Sequence, residues 1–407
     1  MRAILKQTSW LFLAQVITRT IGFFYTIFLA RNLGVSNFGV YSAAFAYFSL
    51  FSAVADFGFN RFLVKEIALN KKKTSELLYN VNVLRLILTI LLLLIFGTAL
   101  YLFDPDKIRV SLTLLLSLAV IPQAIGLTFD GAFIALKKLQ YSSVSIIIAS
   151  LATSFLGFIL VSNKFGLVGV AIAIILGQLA YALSFILIAK RQNIAIFKKV
   201  ILEFLKKAAI GSFPYAVLTV LGIVYFRLSL LLLSYIKGDF DTGIYGVAYR
   251  FLEAVVIFPS ALSIAFFPIF AQSINAKSLN LQKLYFKAIL ILLSISIFMS
   301  LGFIGILPKF IELFLPQYKD SIEVVKILGL SIPFFFLNSL QSTYLLSQNK
   351  FIKHLILISV LIICFIFISN LIFLPKFSYI GAAWVTVVSE LIIFVVFYLL
   401  IRREFKS

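Results

Sequence analysis

The sequence predicts an all-α integral membrane protein with about 12 transmembrane helices. Of its 407 residues, 62% are hydrophobic and only 13% are charged, whereas globular chains carry about 25% charged residues. Twelve helices of about 20 residues would use roughly 240 residues, which fits this apolar content and leaves only short connections. A water-soluble fold is therefore excluded.

Apolar stretches bounded by charged residues predict the helices in chain order. The first stretch resembles a secretory signal peptide, but it runs past Ala30 without a small-residue cleavage site, so we expect it to remain as the first helix. The first six helices are expected near 8–30, 38–59, 78–101, 110–131, 141–161 and 166–189. The second six are expected near 208–235, 243–271, 285–307, 321–347, 355–374 and 379–401.

Basic residues mark the sides of the membrane. The net charge is +21, from 36 Lys and Arg against 15 Asp and Glu. The connections on the side of the N-terminus hold well over twice as many Lys and Arg as the opposite ones, which predicts cytoplasmic N- and C-termini and an even number of helices. Because these cations interrupt apolar segments and form no stripe on one face, we expect no nucleic-acid partner.

The longest connection predicts a division into two lobes. Residues 190–207 separate a six-helix lobe at 1–189 from another at 208–407. The connection is amphipathic, which is typical of a segment on the cytoplasmic leaflet, although a solvated linker between lobes would also fit. Its apolar residues are Ile194, Ile196, Phe197, Val200, Ile201, Phe204 and Leu205.

The two halves contain matching motifs. Gly39-Val40-Tyr41 at the second helix corresponds to Gly243-Ile244-Tyr245 at the eighth. Further matched pairs are Pro122 with Pro333, Lys164-Phe165 with Lys376-Phe377, and Gln178 with Glu390. Because each half has six helices, both enter the membrane from the same side, so the repeat is a parallel one, as in two-lobed alternating-access transporters.

Charged residues inside the predicted spans are the candidate functional residues. Each costs about 2.5–3.5 kcal/mol at a helix centre, so they must pair or face a wet cavity. Three of them lie near helix ends, where snorkelling to the interface or burial there would also explain them. The full set is Arg19, Asp56, Arg85, Asp130, Arg227, Arg250, Glu253 and Glu390, of which Asp56, Arg85 and Asp130 are the three near helix ends.

The first helix has one polar face. At 100° per residue, its polar and small residues fall within an arc of about 60°. That face consists of Thr8, Gln15, Arg19, Gly22 and Thr26. A second deep arginine, Arg227, lies in the other half, and two guanidinium groups in apolar helices indicate an anionic ligand because they match phosphate bidentately.

The remaining candidates allow two interpretations each. Arg250 and Glu253 are three residues apart on one helix and could neutralise each other or bind substrate. Glu390 could bind a proton or cation, or form a packing hydrogen bond between helices. Asp56 is a further candidate for ion coupling.

Several activities are not expected. A single cysteine, Cys364, and a single histidine, His354, exclude a disulfide framework and argue against a metal site or a His-based triad. No glycine-rich nucleotide loop is present. We therefore expect no enzymatic activity, no metal and no cofactor.

Four motifs around the first two helices resemble those of the polysaccharide-unit flippases, the O-antigen type, of the multidrug/oligosaccharidyl-lipid/polysaccharide (MOP) exporter superfamily. The helix number and repeat layout resemble the family over the whole chain. The motifs are Ala30-Arg31-Asn32-Leu33-Gly34, Phe38-Gly39-Val40-Tyr41, Ala55-Asp56-Phe57-Gly58-Phe59 and Leu63-Val64-Lys65-Glu66.

The resemblance implies a MATE-like two-lobed transporter fold with a central basic cavity. Such a protein flips a polyprenyl-diphosphate-linked oligosaccharide across the cell (inner) membrane for synthesis of O-antigen lipopolysaccharide, capsule or exopolysaccharide. Membrane lipids and a polysaccharide polymerase would be its partners. Arg19 matches the family's cationic first-helix position, and Arg227, with Gln15, Arg250 and Glu253, completes the expected cavity set.

Three alternatives remain at this point. A major-facilitator transporter would have a short Gly-Asp-Arg-Gly turn, and here Asp56, Gly58 and Arg61 are wrongly spaced for it. A multidrug cation exporter of the same superfamily needs acidic cavity groups, and the deep arginines argue against that. A membrane enzyme such as a polymerase would need a large outer loop.

Overall fold

The computed structural model describes residues 2–195, 197–275 and 281–406, and in these ranges every regular element is helical. Helices of the first half are α1 (Arg2–Leu33), α2 (Val35–Asp56), α3 (Phe59–Leu69), α4 (Thr74–Phe103), α5 (Lys107–Ser117), α6 (Val120–Ala135), α7 (Leu139–Ser162) and α8 (Gly166–Arg191). Those that follow are α9 (Leu202–Ile236), α10 (Asp239–Asn275), α11 (Leu281–Gly305), α12 (Leu307–Phe314), α13 (Ser321–Gly329), α14 (Ile332–Leu346) and α15 (Ile352–Lys406).

The helices confirm the all-α membrane fold. Within the described ranges, nine helical stretches are long and apolar enough to cross a membrane, or ten if the bent pair α13 and α14 counts as one span. Each of the twelve expected segments coincides with a helix, a helix pair, or one half of α15. Two short helices, α3 and α12, were not expected, because they lie in stretches that the sequence analysis treated as connections.

Two matched prolines follow helix breaks. Pro122 lies in the first turn of α6, just after the break from α5, and Pro333 lies in the first turn of α14, just after the break from α13. The second break bends the chain by 43°. Proline is tolerated in a first helical turn because its missing N–H would have no partner there. The expected single helices at 110–131 and 321–347 are therefore broken pairs.

The long helix α15 has a kink where the last two expected helices meet. Ser378 has φ 46° and ψ −132°, outside helical geometry. Pro375, one turn earlier, cannot donate a backbone hydrogen bond. The matched position in the first half is Gly166, at the start of α8, with φ 52°. Ser378 is held in place by a hydrogen bond from its Oγ to Asp241 Oδ2.

The chain forms two compact units. The first comprises residues 1–33 and 40–224, and the second comprises residues 34–39 and 225–407. The division at 1–189, 190–207 and 208–407 stays a prediction. In the first unit an aromatic core joins α3, α6 and α8 through residues such as Phe62, Phe133 and Phe185. In the second unit α14 packs on α10, α11 and α15.

In the second unit, the N-terminal turns of α2 and α10 pack on each other through two glycines. A Cβ on Gly39 would lie 1.8 Å from the backbone oxygen of Asp239, and a Cβ on Gly243 would lie 2.1 Å from that of Val35. These are the matched glycines of the two halves. Since backbone faces backbone at both positions, a side chain could fit only if the helices moved apart.

We expect Gly39→Ala to lower the apparent melting temperature of the purified protein, because overpacking costs about 1–3 kcal/mol even where neighbours can yield. Gly302→Ala in α11 is the matched control, since nothing lies within 4 Å of its added methyl group. The control should melt unchanged or slightly higher, because alanine is the better helix former. Equal melting temperatures for Gly39→Ala and wild type would contradict the described contact.

Candidate functional site

A cluster of three charged residues lies between α9 and α10 in the second unit. Arg227 Nη1 is 2.6 Å from Glu253 Oε1, and Arg250 Nη1 is 3.1 Å from Glu253 Oε2. The side chains remain partly exposed, at 13% for Arg227, 19% for Arg250 and 22% for Glu253. One carboxylate thus bridges two guanidinium groups.

The cluster combines partial exposure with an excess of basic groups. Its three side chains carry a formal charge of +1. Guanidinium groups stay protonated at any relevant pH and bind phosphate oxygens in pairs. An anion that reached the cluster would compete with Glu253 for both arginines. The prediction that Arg250 and Glu253 pair is confirmed, and Arg227 joins the same ion pair.

Glu390 lies deeper in the second unit. Its carboxylate accepts a hydrogen bond from the Tyr225 hydroxyl and one of 2.7 Å from Asn338 Nδ2. Asn338 also donates to the backbone oxygen of Glu390 at 2.9 Å, and Glu390 is only 2% exposed. The carboxylate therefore links α9, α14 and the second half of α15. Its expected packing role is present in the structure.

Gln15 and Arg19 lie one turn apart on α1 in the first unit, and both are exposed. α1 packs on α7 through another face, where Tyr25 contacts Gly157 and the ring of Phe28 packs at a tilt against that of Phe158. Among the described residues, Arg19 has no hydrogen-bond or ion-pair partner. The side chain of Thr8, expected on the same face, lies outside the described residues.

Asp56 belongs to a second polar network of the first unit, around the buried side chain of Arg85. Arg85 Nη2 is 2.6 Å from Asp56 Oδ1, and Arg85 Nη1 donates to Thr128 Oγ1 at 2.9 Å and to the Ala124 oxygen at 3.2 Å. Arg85 is 0% exposed, so of the two explanations expected for it, snorkelling and burial, the structure agrees with burial. Its long side chain turns inward because three acceptors lie within its reach. Asp130, 9% exposed, interacts electrostatically with it.

The structure joins some of the sequence-predicted residues and leaves others apart. Arg227, Arg250 and Glu253 form one cluster, and Gln15 and Arg19 share one helix face. Glu390 and Asp56 each belong to a separate buried network. Sequence reasoning missed the partners Tyr225, Asn338 and Thr128, because a polar residue in an apolar helix does not reveal which other helix it faces. Charge balance among the intramembrane residues was the signal that could have paired Arg85 with an acid.

Among the residues that the structure describes, no group of three or more His, Cys, Asp and Glu side chains could hold a metal ion.

A family model described as polysaccharide biosynthesis protein matches residues 4–274, well over half of the chain. The chain belongs to the polysaccharide biosynthesis protein family. A second model, MatE, matches residues 214–375 of this family member. No curated protein matches its sequence.

Solved structures resemble this polysaccharide biosynthesis family protein over nearly its full length. An inward-facing multidrug resistance MATE family transporter of the MOP superfamily has a TM-score of 0.76 at 14% identity, covering 96% of each chain. An outward-facing MATE family transporter has a TM-score of 0.66 at 14% identity, covering 100% of this chain and 96% of the other. A MOP superfamily transporter from Pyrococcus furiosus is described as having a binding pocket of reversed polarity. It has a TM-score of 0.66 at 14% identity, covering 99% of this chain and 95% of the other.

The family member is therefore a MOP superfamily transporter with a MATE-like, two-lobed, all-helical fold in a multi-pass membrane protein. The families and structures that it resembles are transporters, which agrees with the expectation of a protein that is not an enzyme. The major-facilitator alternative is wrong, because both the family matches and the fold are those of the MOP superfamily.

We expect Arg85→Ala to destabilise the transporter strongly. Removing one partner of a buried ion pair typically costs about 3–5 kcal/mol, because the carboxylates of Asp56 and Asp130 would stay buried without their counterion. Arg61→Ala, which removes an exposed arginine of α3, is the control. Thermal unfolding in detergent should show a clear loss for Arg85→Ala and a shift near zero for Arg61→Ala.

The double variant Arg85→Ala/Asp56→Asn provides a check on the cause. It should melt above Arg85→Ala, because one unpaired charge is removed together with its partner. If the double variant melts lower than either single variant, the destabilisation does not come from an unpaired Asp56.

Proposed function

We propose that this transporter flips a polyprenyl-diphosphate-linked oligosaccharide unit from the cytoplasmic to the outer leaflet by alternating access. The product would feed the synthesis of a surface polysaccharide such as O-antigen lipopolysaccharide, capsule or exopolysaccharide. The observation that carries the proposal is the Arg227–Glu253–Arg250 cluster, a partly exposed site of net positive charge inside apolar helices. The match to the polysaccharide biosynthesis family supports it.

The diphosphate is the part of this substrate that the cluster can recognise. Arg227 and Arg250 would bind the phosphate oxygens, which accept paired hydrogen bonds from guanidinium groups. Arg19 and Gln15, on one exposed face of α1 in the first unit, are further candidates for contact with the substrate, and Arg19 has no counterion among the described residues. The polyprenyl tail would remain in the lipid, since it gains nothing by entering a polar site.

Glu253 would act as a built-in competitor of the diphosphate. In the structure its two carboxylate oxygens already occupy one nitrogen of each arginine. A bound diphosphate has to displace this carboxylate, and the carboxylate can return when the substrate leaves. Such competition weakens binding and speeds release, which a transporter needs because it must let go of its substrate.

The membrane orientation follows from the charge distribution. We place the protein in the cell (inner) membrane with both termini in the cytoplasm, because the connections on that side hold the excess of Lys and Arg. Membrane lipids and the lipid-linked oligosaccharide are the expected partners, and a polysaccharide polymerase on the outer side would consume the product.

The best candidate for ion coupling is Glu390. It is a buried carboxylate in the second unit without an ion-pair partner among the described residues, and it is linked to α9 by Tyr225. Binding of a proton or a cation there would alter the connection between helices. Asp56 is the weaker candidate, because Arg85 already neutralises it at 2.6 Å.

A second candidate function is export of cationic drugs. The MatE match at residues 214–375 and the carboxylates of Glu253 and Glu390 favour it. Against it stands the net positive charge of the cluster, which would repel a cation.

A flipping measurement separates these functions. In proteoliposomes with a polyprenyl-diphosphate oligosaccharide, wild type should expose the sugar to an added lectin, and Arg227→Ala and Arg19→Ala should slow exposure by about 10-fold or more, since a hydrogen bond to a charged group contributes about 1.5–3 kcal/mol. Arg402→Ala, an exposed arginine near the C-terminus, should flip normally.

Two results would redirect the assignment. Export of a cationic dye by wild type, without flipping of any lipid-linked sugar, would favour the second function. Normal flipping by both arginine variants would retain the function and reject these residues as its site.

The competition by Glu253 makes a separate prediction. Glu253→Gln keeps the shape but loses the charge, so the KM for the lipid-linked substrate should fall severalfold while kcat also falls, because the arginines release the diphosphate more slowly. Glu312→Gln, at an exposed site on α12, is the matched control. An unchanged KM would show that Glu253 does not compete with the substrate.

A further inference from the structure

The connection between α8 and α9 is attached to the beginning of α4 by side-chain hydrogen bonds. The backbone N–H of Ile201 donates to Asn80 Oδ1 at 2.7 Å, and Asn80 Nδ2 donates to the Lys199 oxygen at 3.2 Å. The N–H of Ala195 donates to Ser75 Oγ at 3.1 Å. Ile196 lies outside the described residues. The connection therefore has a defined position in the first unit, although residues 194–195 and 197–201 are not helical.

Asn80 makes this attachment possible. It is 0% exposed, and its amide contacts both the N–H and the C=O groups of the connection. A non-helical backbone has unpaired polar groups, and an asparagine side chain can satisfy a donor and an acceptor at once. The two hydrogen bonds of Asn80 thus fix the orientation of residues 199–201.

The attached connection presents large apolar side chains outward. Phe197 and Leu202 are each 80% exposed, and Val200 is 44% exposed. The Phe197 ring touches only the edge of the first unit, with its centroid 6.2 Å from that of Tyr79. Phe197 and Val200 lie outside the helices, and Leu202 is the first residue of α9, ahead of the stretch Tyr215–Ile236 that could cross a membrane. Their exposure therefore cannot be explained by a position within a membrane-spanning segment.

Cations surround these apolar side chains. Lys198 and Lys199 lie between Phe197 and Leu202, and both are exposed. The three exposed lysines Lys71–Lys73 immediately precede α4, the helix to which the connection is attached. The acids nearby in sequence are fewer: Glu66 already pairs with Lys207 at 3.1 Å, and Glu76 and Glu203 lie in the first turns of α4 and α9.

Apolar groups among cations are typical of a surface that lies on anionic lipid. The apolar side chains enter the acyl boundary, while each lysine near the surface is attracted to the anionic headgroups. A nucleic acid would accommodate an 80% exposed Phe and Leu poorly, because such side chains would need unstacked bases to pack on. The connection also joins two membrane-spanning helices, so the lipid surface is its nearest neighbour.

We propose that residues 197–202, held by Asn80, form a docking surface for anionic phospholipid headgroups. Phe197 and Leu202 insert at the acyl boundary, and Lys198 and Lys199 bind the phosphates. The proposal rests on the proposed orientation only in assigning this surface to the cytoplasmic leaflet. The substrate site is a different part of the molecule, and flipping is not needed to detect lipid at this surface.

Quenching of a single tryptophan by brominated lipids tests the docking. The reporter is Phe197→Trp in a background where Trp10 and Trp384 are changed to Phe, reconstituted in nanodiscs of phosphatidylcholine with a fixed fraction of brominated phosphatidylglycerol or of brominated phosphatidylcholine. Quenching by the anionic lipid should be at least roughly twofold stronger, because lysines concentrate it near the reporter. Phe298→Trp, at an equally exposed Phe within α11, should be quenched equally by both lipids.

Matched variants separate the role of the two lysines from that of Asn80. Lys198→Gln/Lys199→Gln should remove the preference for the anionic lipid while quenching persists, and 1 M salt should do the same because it shortens the Debye length to about 3 Å. Asn80→Ala should weaken quenching by both lipids, since it releases the connection.

Two outcomes would overturn the proposal. Absence of quenching at position 197, with normal quenching at position 298, would place the surface in water. Equal quenching by both lipids in the parent reporter would show apolar contact without recognition of anionic headgroups. Either result would leave the flipping measurement unaffected, so the two proposals fail separately.

Discussion

A charged side chain in an apolar helix bundle must be paired, hydrogen-bonded or exposed, because the hydrocarbon of the membrane offers it no partner, and this requirement organises both units. In the first unit Arg85 is fully buried and pairs with Asp56, so its charge serves structure. In the second unit Glu253 is shared between two arginines, Arg227 and Arg250. The same residue type is therefore fully buried against one carboxylate in the first unit and partly exposed around a shared carboxylate in the second.

The two halves retain their backbone features more closely than their charges. Pro122 and Pro333 both begin a helix after a break, and Gly34 and Gly238 both adopt positive φ in the turns before α2 and α10. At the turn before the last helix of each half, Gly166 is matched by Ser378, which keeps φ near that of the glycine at a steric cost. The fold of each half depends on these positions, whereas the Gln178 and Glu390 pair shows that a polar position is free to change its chemistry.

The sequence predicted the helices because each apolar stretch is long and bounded by charge, and it predicted the proline and glycine pairs because these residues have few structural roles. It failed where the signal is shared between distant segments. The inward turn of Arg85 depends on acceptors on α2 and α6, and the hydrogen bonds of Glu390 depend on α9 and α14. The amphipathic helix α3 was missed because its basic residues were read only as a marker of membrane side. The pairing of Arg250 with Glu253 was predictable, since both lie on one helix.

The contact between the beginnings of α2 and α10 has a consequence for biosynthesis. Residues 34–39 leave the ribosome some two hundred residues before their packing partners at Asp239 and Gly243. At about 5–20 residues per second, this turn waits roughly 10–40 seconds for its neighbour. During that interval the surface around Gly39 lacks its packing partner, so lipid or the membrane-insertion machinery has to cover it. The second unit cannot complete its packing from its own newly made helices alone, because it includes a segment made long before them.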